Sequence, residues 1–402
     1  MTTRSSAFTR LRAWLHDGWI SVGIALLLFL VLEFSYRALQ RTRHEADGEV
    51  ERVVTPGHPY YGQAWYAQLK PGLDARKNHP DPYRAYWPGP VTSRYVNIDT
   101  AGRRWTPQPV ADTGAAVRVL MLGGSTMWGF TARDSFTIPA LTAARLAAHG
   151  VRNAHVDNLA QAAFNTTQEA STLMLEVARG RVPDVVVLLD GFNDIATGLS
   201  YRDPGHTYGE KNTARLVELG RREFWEELTG LGGHSNLIAG LRAKLSRAPA
   251  EAERSPANIP HICGATGRYY AGIAKEVEGI GRIHDFPVIY FQQPVHSASD
   301  KAPSAWERSL PKRRGMRECG DSIDAAMADR AGKTYFSLRG IFDADTGTVF
   351  VDENAHLTEA ANGKVAERIA SVVAPLLQAR LAVRSGKLPV GSRHDASSNS
   401  VH

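Results

Sequence analysis

From residue 117 onward, short apolar runs alternate with longer stretches whose apolar residues recur at helical spacing. Residues 117–122 have strand length, carry one charge at Arg118, and end at Gly123-Gly124. Residues 138–148 predict a helix with Pro139 in its first turn. A second strand follows over 152–158 and a second helix over 167–180. Residues 184–189, Asp-Val-Val-Val-Leu-Leu, suit a central parallel strand buried on both faces. The alternation continues as helix 268–283, strand 287–291, helix 322–330, strand 334–338 and a last helix over 359–380. Repeated units of this kind predict a parallel sheet covered by helices on both sides. The expected fold is α/β, a flavodoxin-like three-layer α/β/α domain over residues 116–384 with about five strands.

Three regions break that rhythm. Residues 199–262 form an insertion, with amphipathic helices expected at 212–231 and 236–245 and a Pro/Ala/Glu linker at 246–260. It is either a cap over a binding site or a surface elaboration. Residues 60–115 are rich in Pro, Gly and aromatics and predict an N-terminal extension containing a β-hairpin, Tyr95 to Trp105, turning at Asp99–Gly102. At the start, an arginine-bearing tail (1–18) precedes an apolar stretch (19–36) uncharged from Ile20 to Leu32, with Trp14, Trp19 and Tyr36 near its ends. No Ala-x-Ala-like cleavage site follows it. It therefore reads as a retained transmembrane signal anchor, with 1–18 cytoplasmic, 37–59 a juxtamembrane linker and the bulk of the chain outside the cytoplasm. The polar, Ser-rich residues 385–402 read as disordered.

Composition narrows the chemistry. A net charge of +6 over 402 residues is mild and its cations are scattered, which argues against nucleic acid as a partner. The one cluster, Lys312-Arg313-Arg314, reads as a solvated loop. The two cysteines, Cys263 and Cys319, show no zinc spacing and no metal is implied. Outside the cytoplasm they could pair; otherwise they are two free thiols.

If the sheet is parallel, four polar loops emerge at one edge: Gly123-Gly-Ser125-Thr126, Asn158-Leu-Ala160-Gln-Ala-Ala163-Phe-Asn165, Asp190-Gly191-Phe-Asn193-Asp194, and Val351-Asp352-Glu353-Asn354-Ala-His356. That edge is where open α/β sheets bind ligands. Gln292-Gln293-Pro-Val-His296 lies at the same edge.

In order and spacing these blocks resemble those of the SGNH (GDSL-like) hydrolase superfamily, over roughly residues 117–382 with the insertion unmatched. Gly191-Phe-Asn193-Asp194 is the most specific of them. The resemblance implies a serine esterase without a cofactor, acting on an ester-bearing small molecule or an acylated glycan. Ser125 would be the nucleophile and His356 its base, with the oxyanion held by the Ser125 N–H, the residue 163 N–H and the Asn193 amide. Two departures stand out. Alanines, Ala160 and Ala163, replace two glycines, and the residue three before His356 is Glu353, with Asp352 one further back. Either acid could orient His356; Asp352 is favoured because it continues the apolar approach of Val349–Val351. Asp194 reads as structural. An O-acyltransferase using the same serine, or a catalytically silent binding module, remains an alternative.

Overall fold

The computed structural model describes residues 56–108, 116–208, 210 and 258–385, with part of 19–35. The tail 1–18, nearly all of the linker 37–59, the predicted helices at 212–231 and 236–245, most of the 246–260 linker and all but the first residue of 385–402 lie outside the described residues. The chain divides into two compact units, Met1–Val53 with Ala214–Ser255, and Val54–Thr213 with Pro256–His402. In the first, the described residues of 19–35 are helical, and Trp19, Leu27 and Phe34 are among the exposed ones. Among the described residues, no helix is long and apolar enough to cross a membrane.

The second unit opens with helix α1 (Ala64–Asp74) and an antiparallel pair, β1 (Asn78–Asp81) and β2 (Ala85–Pro88). Five parallel strands follow: β3 (Val117–Gly123), β4 (Ala154–Asn158), β5 (Val185–Asp190), β6 (Val288–Gln292) and β7 (Tyr335–Ser337), in the order β4-β3-β5-β6-β7. This is the doubly wound order with a switch point between β3 and β5. Side chains alternate across each strand. Val119 and Met121 of β3, with Val185 and Val187 of β5, pack under helices α3 (Ile138–Ala148) and α9 (Glu359–Arg384). Leu120, Leu122, Val186 and Leu188 pack on the other face, against α4 (Thr166–Ala178), α6 (Ile259–His284) and α8 (Met316–Ala326). Burial on both faces explains why β3 and β5 read as nearly continuous apolar runs.

Several boundaries differ from expectation. Helix α6 begins at Ile259, nine residues earlier than its periodicity suggested, because Asn258 caps the His261 N–H and Pro260 fits the first turn. The last residues assigned to the insertion are thus the first turn of a core helix. The hairpin expected over 95–105 is present but short: the Asp99 N–H donates to the Arg103 carbonyl at 2.9 Å and the Trp105 N–H to the Asn97 carbonyl at 2.8 Å, flanking a single Ile98–Arg104 bridge. The Arg104 N–H faces the other edge and meets the Asn158 carbonyl at the end of β4 at 3.1 Å, so Arg104 bridges the short hairpin to the sheet. The longer two-stranded ladder of the extension is β1–β2. Cys263 and Cys319 form a disulfide that joins α6 to α8.

Candidate active site

Ser125 is the first residue of α2 (Ser125–Trp128), directly after β3. Its N–H therefore has no acceptor inside that short helix. Two glycines make this turn possible. Gly123 has φ +154°, and a Cβ there would lie 2.5 Å from the Leu189 carbonyl oxygen. A Cβ on Gly124 would lie 2.3 Å from Asn193 Nδ2. The missing side chain brings the Asn193 amide against the turn that carries Ser125. Asn193 itself sits in the first turn of α5 (Phe192–Tyr201), entered through Gly191 at φ +107°.

The histidine arrives on a closed loop between β7 and α9. Val351 N–H donates to the His356 carbonyl at 2.8 Å, and Thr358 N–H to Val349 O at 2.8 Å. Within it, Asp352 Oδ1 accepts from the Asn354 N–H at 2.9 Å, which turns Oδ2 inward to His356 Nδ1 at 2.5 Å. His356 Nε2 lies 2.7 Å from Ser125 Oγ. Glu353 faces outward, 4.0 Å from Arg313 Nη2. The sequence favoured Asp352 with Glu353 as the alternative; the geometry sets Asp352 behind the imidazole. Burial would raise the Asp352 carboxyl, but the charge and hydrogen bond of His356 and two backbone N–H groups outweigh it and hold the group below its ordinary value. Phe130 stacks on the His356 ring at 5.0 Å, shielding the pair.

The segments carrying Ser125 and His356 are laced together. Thr126 Oγ1 donates to Ala355 O at 3.1 Å, Thr131 Oγ1 to Leu357 O at 2.9 Å, and Arg133 forks onto Glu359. Ala355, just before the histidine, has φ +140°, a conformation held by these contacts. Glu307, on α7 (Ala305–Ser309), accepts from the N–H groups of Val349 and Phe350 at 2.9 and 3.1 Å. Its other oxygen takes the Lys301 ammonium at 2.6 Å, and both side chains are buried.

The third expected oxyanion donor, the N–H of Ala163, belongs to a residue at φ +65°. Alanine thus occupies the left-handed conformation that glycine adopts without strain. Asn193 Nδ2 donates one hydrogen to Phe164 O at 2.6 Å, which orients the amide and leaves its second hydrogen. Asp194 braces the framework. Its Oδ1 accepts from Thr166 Oγ1 at 2.6 Å and Thr166 N–H at 3.2 Å, tying α5 to the start of α4. Burial and the Asp194 charge push the Asp190 carboxyl up to about 7, against the pull of the Tyr270 hydroxyl that donates to it. Gln292, Gln293 and His296 are buried, bonded to Gly320 O, Thr126 Oγ1 and Glu307 O. Among the described residues, no group of three or more His, Cys, Asp or Glu side chains is placed to hold a metal ion.

One contributor escaped the sequence. Arg104, fully buried, pairs with Asp134 at 2.9 Å and donates to the carbonyls of Trp128, Gly129 and Ala132 at the end of α2. Its acceptors come from a loop far along the chain, so no local pattern around Arg104 announces the contact.

No protein-family model matches the chain, and no curated protein matches it. Solved structures do resemble it. An acetyl xylan esterase, AlAXEase, matches at 14% identity over 64% of this chain and 100% of its own, with a TM-score of 0.38. Est24, a carbohydrate acetylesterase from Sinorhizobium meliloti, matches at 16% identity over 65% and 99%, with a TM-score of 0.36. A lipolytic protein of the G-D-S-L family from Veillonella parvula matches at 13% identity over 64% and 98%, also at 0.36. At identities and TM-scores this low, the side-chain geometry carries the chemistry, not the likeness.

Proposed function

We propose that the protein is an SGNH-type serine hydrolase that cleaves carboxylic esters through an acyl-serine intermediate. The observation that carries this reading is the line of contacts Ser125 Oγ–His356 Nε2 at 2.7 Å and His356 Nδ1–Asp352 Oδ2 at 2.5 Å. His356 takes the Ser125 proton as Oγ bonds to the acyl carbon, and Asp352 stabilises the imidazolium. The negative charge developing on the carbonyl oxygen is met by the N–H groups of Ser125 and Ala163 and by the Asn193 amide. The carbon–oxygen bond to the alcohol then breaks, and the imidazolium returns its proton to the departing oxygen. Water repeats the sequence: it loses a proton to His356, attacks the acyl carbon, and the carboxylic acid leaves as Ser125 regains its proton.

The carrier of the acyl group is an acylated glycan or a lipid-like ester. The setting we infer is extracytoplasmic, with residues 19–36 as a single membrane anchor. Exposed apolar side chains along 19–35 and the Cys263–Cys319 disulfide support it, since disulfides persist in oxidising compartments. A fluorophosphonate probe tests the chemistry: it should label the folded protein and fail to label Ser125→Ala. Absence of labelling, or equal labelling of both, would sink the reading. Protease accessibility in intact cells tests the topology, and a digestion-resistant main domain would reverse it.

A further inference from the structure

The cationic run Lys312-Arg313-Arg314 is exposed, as a solvated loop would be, yet its middle residue is not idle. The Arg313 backbone N–H is anchored to Ser297 Oγ at 2.8 Å. Its Nη2 donates to Asn354 Oδ1 at 2.6 Å, and its guanidinium carbon lies 5.6 Å from the centre of the Phe192 ring. Asn354 stands between Asp352 and His356, and Phe192 immediately precedes Asn193. The guanidinium is therefore bracketed by the two walls of the site, the acid–histidine loop and the oxyanion loop, with its side chain still 41% exposed.

Lys312 and Arg314 flank it in sequence and are exposed as it is. Glu353, 4.0 Å from Arg313, is the opposing group and offsets part of their charge. Asn354 occupies one of the five N–H groups of the guanidinium fork, whose spacing matches a carboxylate. The side of the site matters as well. In ester cleavage the departing alcohol oxygen must sit by His356, which protonates it. Arg313 bonds to Asn354 on the loop that carries His356, the side on which a departing alcohol would lie.

We propose that Arg313, flanked by Lys312 and Arg314, binds an anionic group on the alcohol part of the ester, so that the acyl carrier is an acidic glycan such as a hexuronate-containing oligosaccharide. This rests on the ester-cleaving reading of the same site.

The test compares O-acetylated hexuronate oligosaccharides with O-acetylated neutral oligosaccharides of equal length. Binding is measured calorimetrically on the full chain carrying Ser125→Ala, so that affinity is read whether or not turnover occurs; acetate release is measured on the Ser125 protein. The acidic oligosaccharide should bind more tightly, by about tenfold to a hundredfold, as expected for hydrogen bonds to charged groups. Arg313→Gln should remove most of that preference, Arg313→Lys less of it, and salt should weaken the acidic ligand selectively. Equal affinity for both oligosaccharides, an equal loss on both in Arg313→Gln, or binding to anionic lipid vesicles but not to the acidic oligosaccharide would each overturn the proposal. Arg313-dependent binding without acetate release would instead uphold this site and remove the hydrolase reading.

Discussion

The Arg104 guanidinium, buried beneath the segment ahead of the sheet, donates from Nη1 to the carbonyl oxygens of Trp128 and Gly129 at 3.0 and 2.6 Å. It thereby caps the helix that begins at Ser125, and places a cation where that helix exposes its unpaired carbonyls. Arg104→Ala would leave the buried Asp134 carboxylate without its ion partner. The expected loss of stability is about 3–5 kcal/mol, read as a fall in the urea midpoint. A shift of under about 1 kcal/mol would mean that water replaces the guanidinium.

The choice of acid is open to a paired substitution. Asp352→Asn should lower kcat by about 10³–10⁴, because an amide neither fixes the productive tautomer nor stabilises the imidazolium. Glu353→Gln should change kcat by less than about threefold, as a half-buried charge outside the chain of contacts. The reverse pattern in steady-state ester hydrolysis would assign the role to Glu353.

Gly124 is expected to be as sensitive as the residue it faces. Gly124→Ala would set a methyl 2.3 Å from Asn193 Nδ2 and displace the amide. Both Gly124→Ala and Asn193→Ala should lose about 10²–10³ in kcat with little change in KM, the signature of a donor acting on the transition state. Losses confined to KM would place the amide in ground-state binding.

Ala163 bears the strain of φ +65°. Ala163→Gly removes a left-handed cost of about 1–2 kcal/mol and adds a glycine entropy cost of about 0.5–1 kcal/mol. A net stabilisation of about 0.5–1 kcal/mol should appear in equilibrium unfolding. Destabilisation would show that the methyl group packs better than its backbone angle suggests.

Asp190 sets a pH dependence. Its carboxyl is pushed up to about 7 in the folded protein, by burial first and by Asp194 second, whereas the unfolded chain releases that proton near 4. The folded state binds more protons across this window, so its contribution to stability is full below pH ~4 and falls as pH rises toward 7. Asp190→Asn keeps an acceptor for the Tyr270 hydroxyl and should flatten that decline in urea midpoints. An unchanged slope would assign the proton uptake to other groups.

The sequence by itself determined the strands and helices wherever one spacing dictates one face. Val119 and Met121 alternate with Leu120 and Leu122, and each pair has a helical layer to meet. Short backbone motifs were equally legible: Gly123-Gly124 before Ser125, and Gly191 before Asn193, carry their turns with them. The short hairpin was legible as well, but its bridge from Arg104 to Asn158 at the end of β4 was not. The tertiary structure alone decided that the two cysteines meet, that Glu353 is turned away from His356 while the favoured Asp352 meets it, that Arg104 lies under the helix that begins at Ser125, and that Arg313 reaches Asn354. The physical reason is common to all four. A periodic pattern fixes which way a side chain leaves its own element, whereas a charged or sulfur-bearing group finds its partner on a segment brought near only when the sheet and its helices have packed.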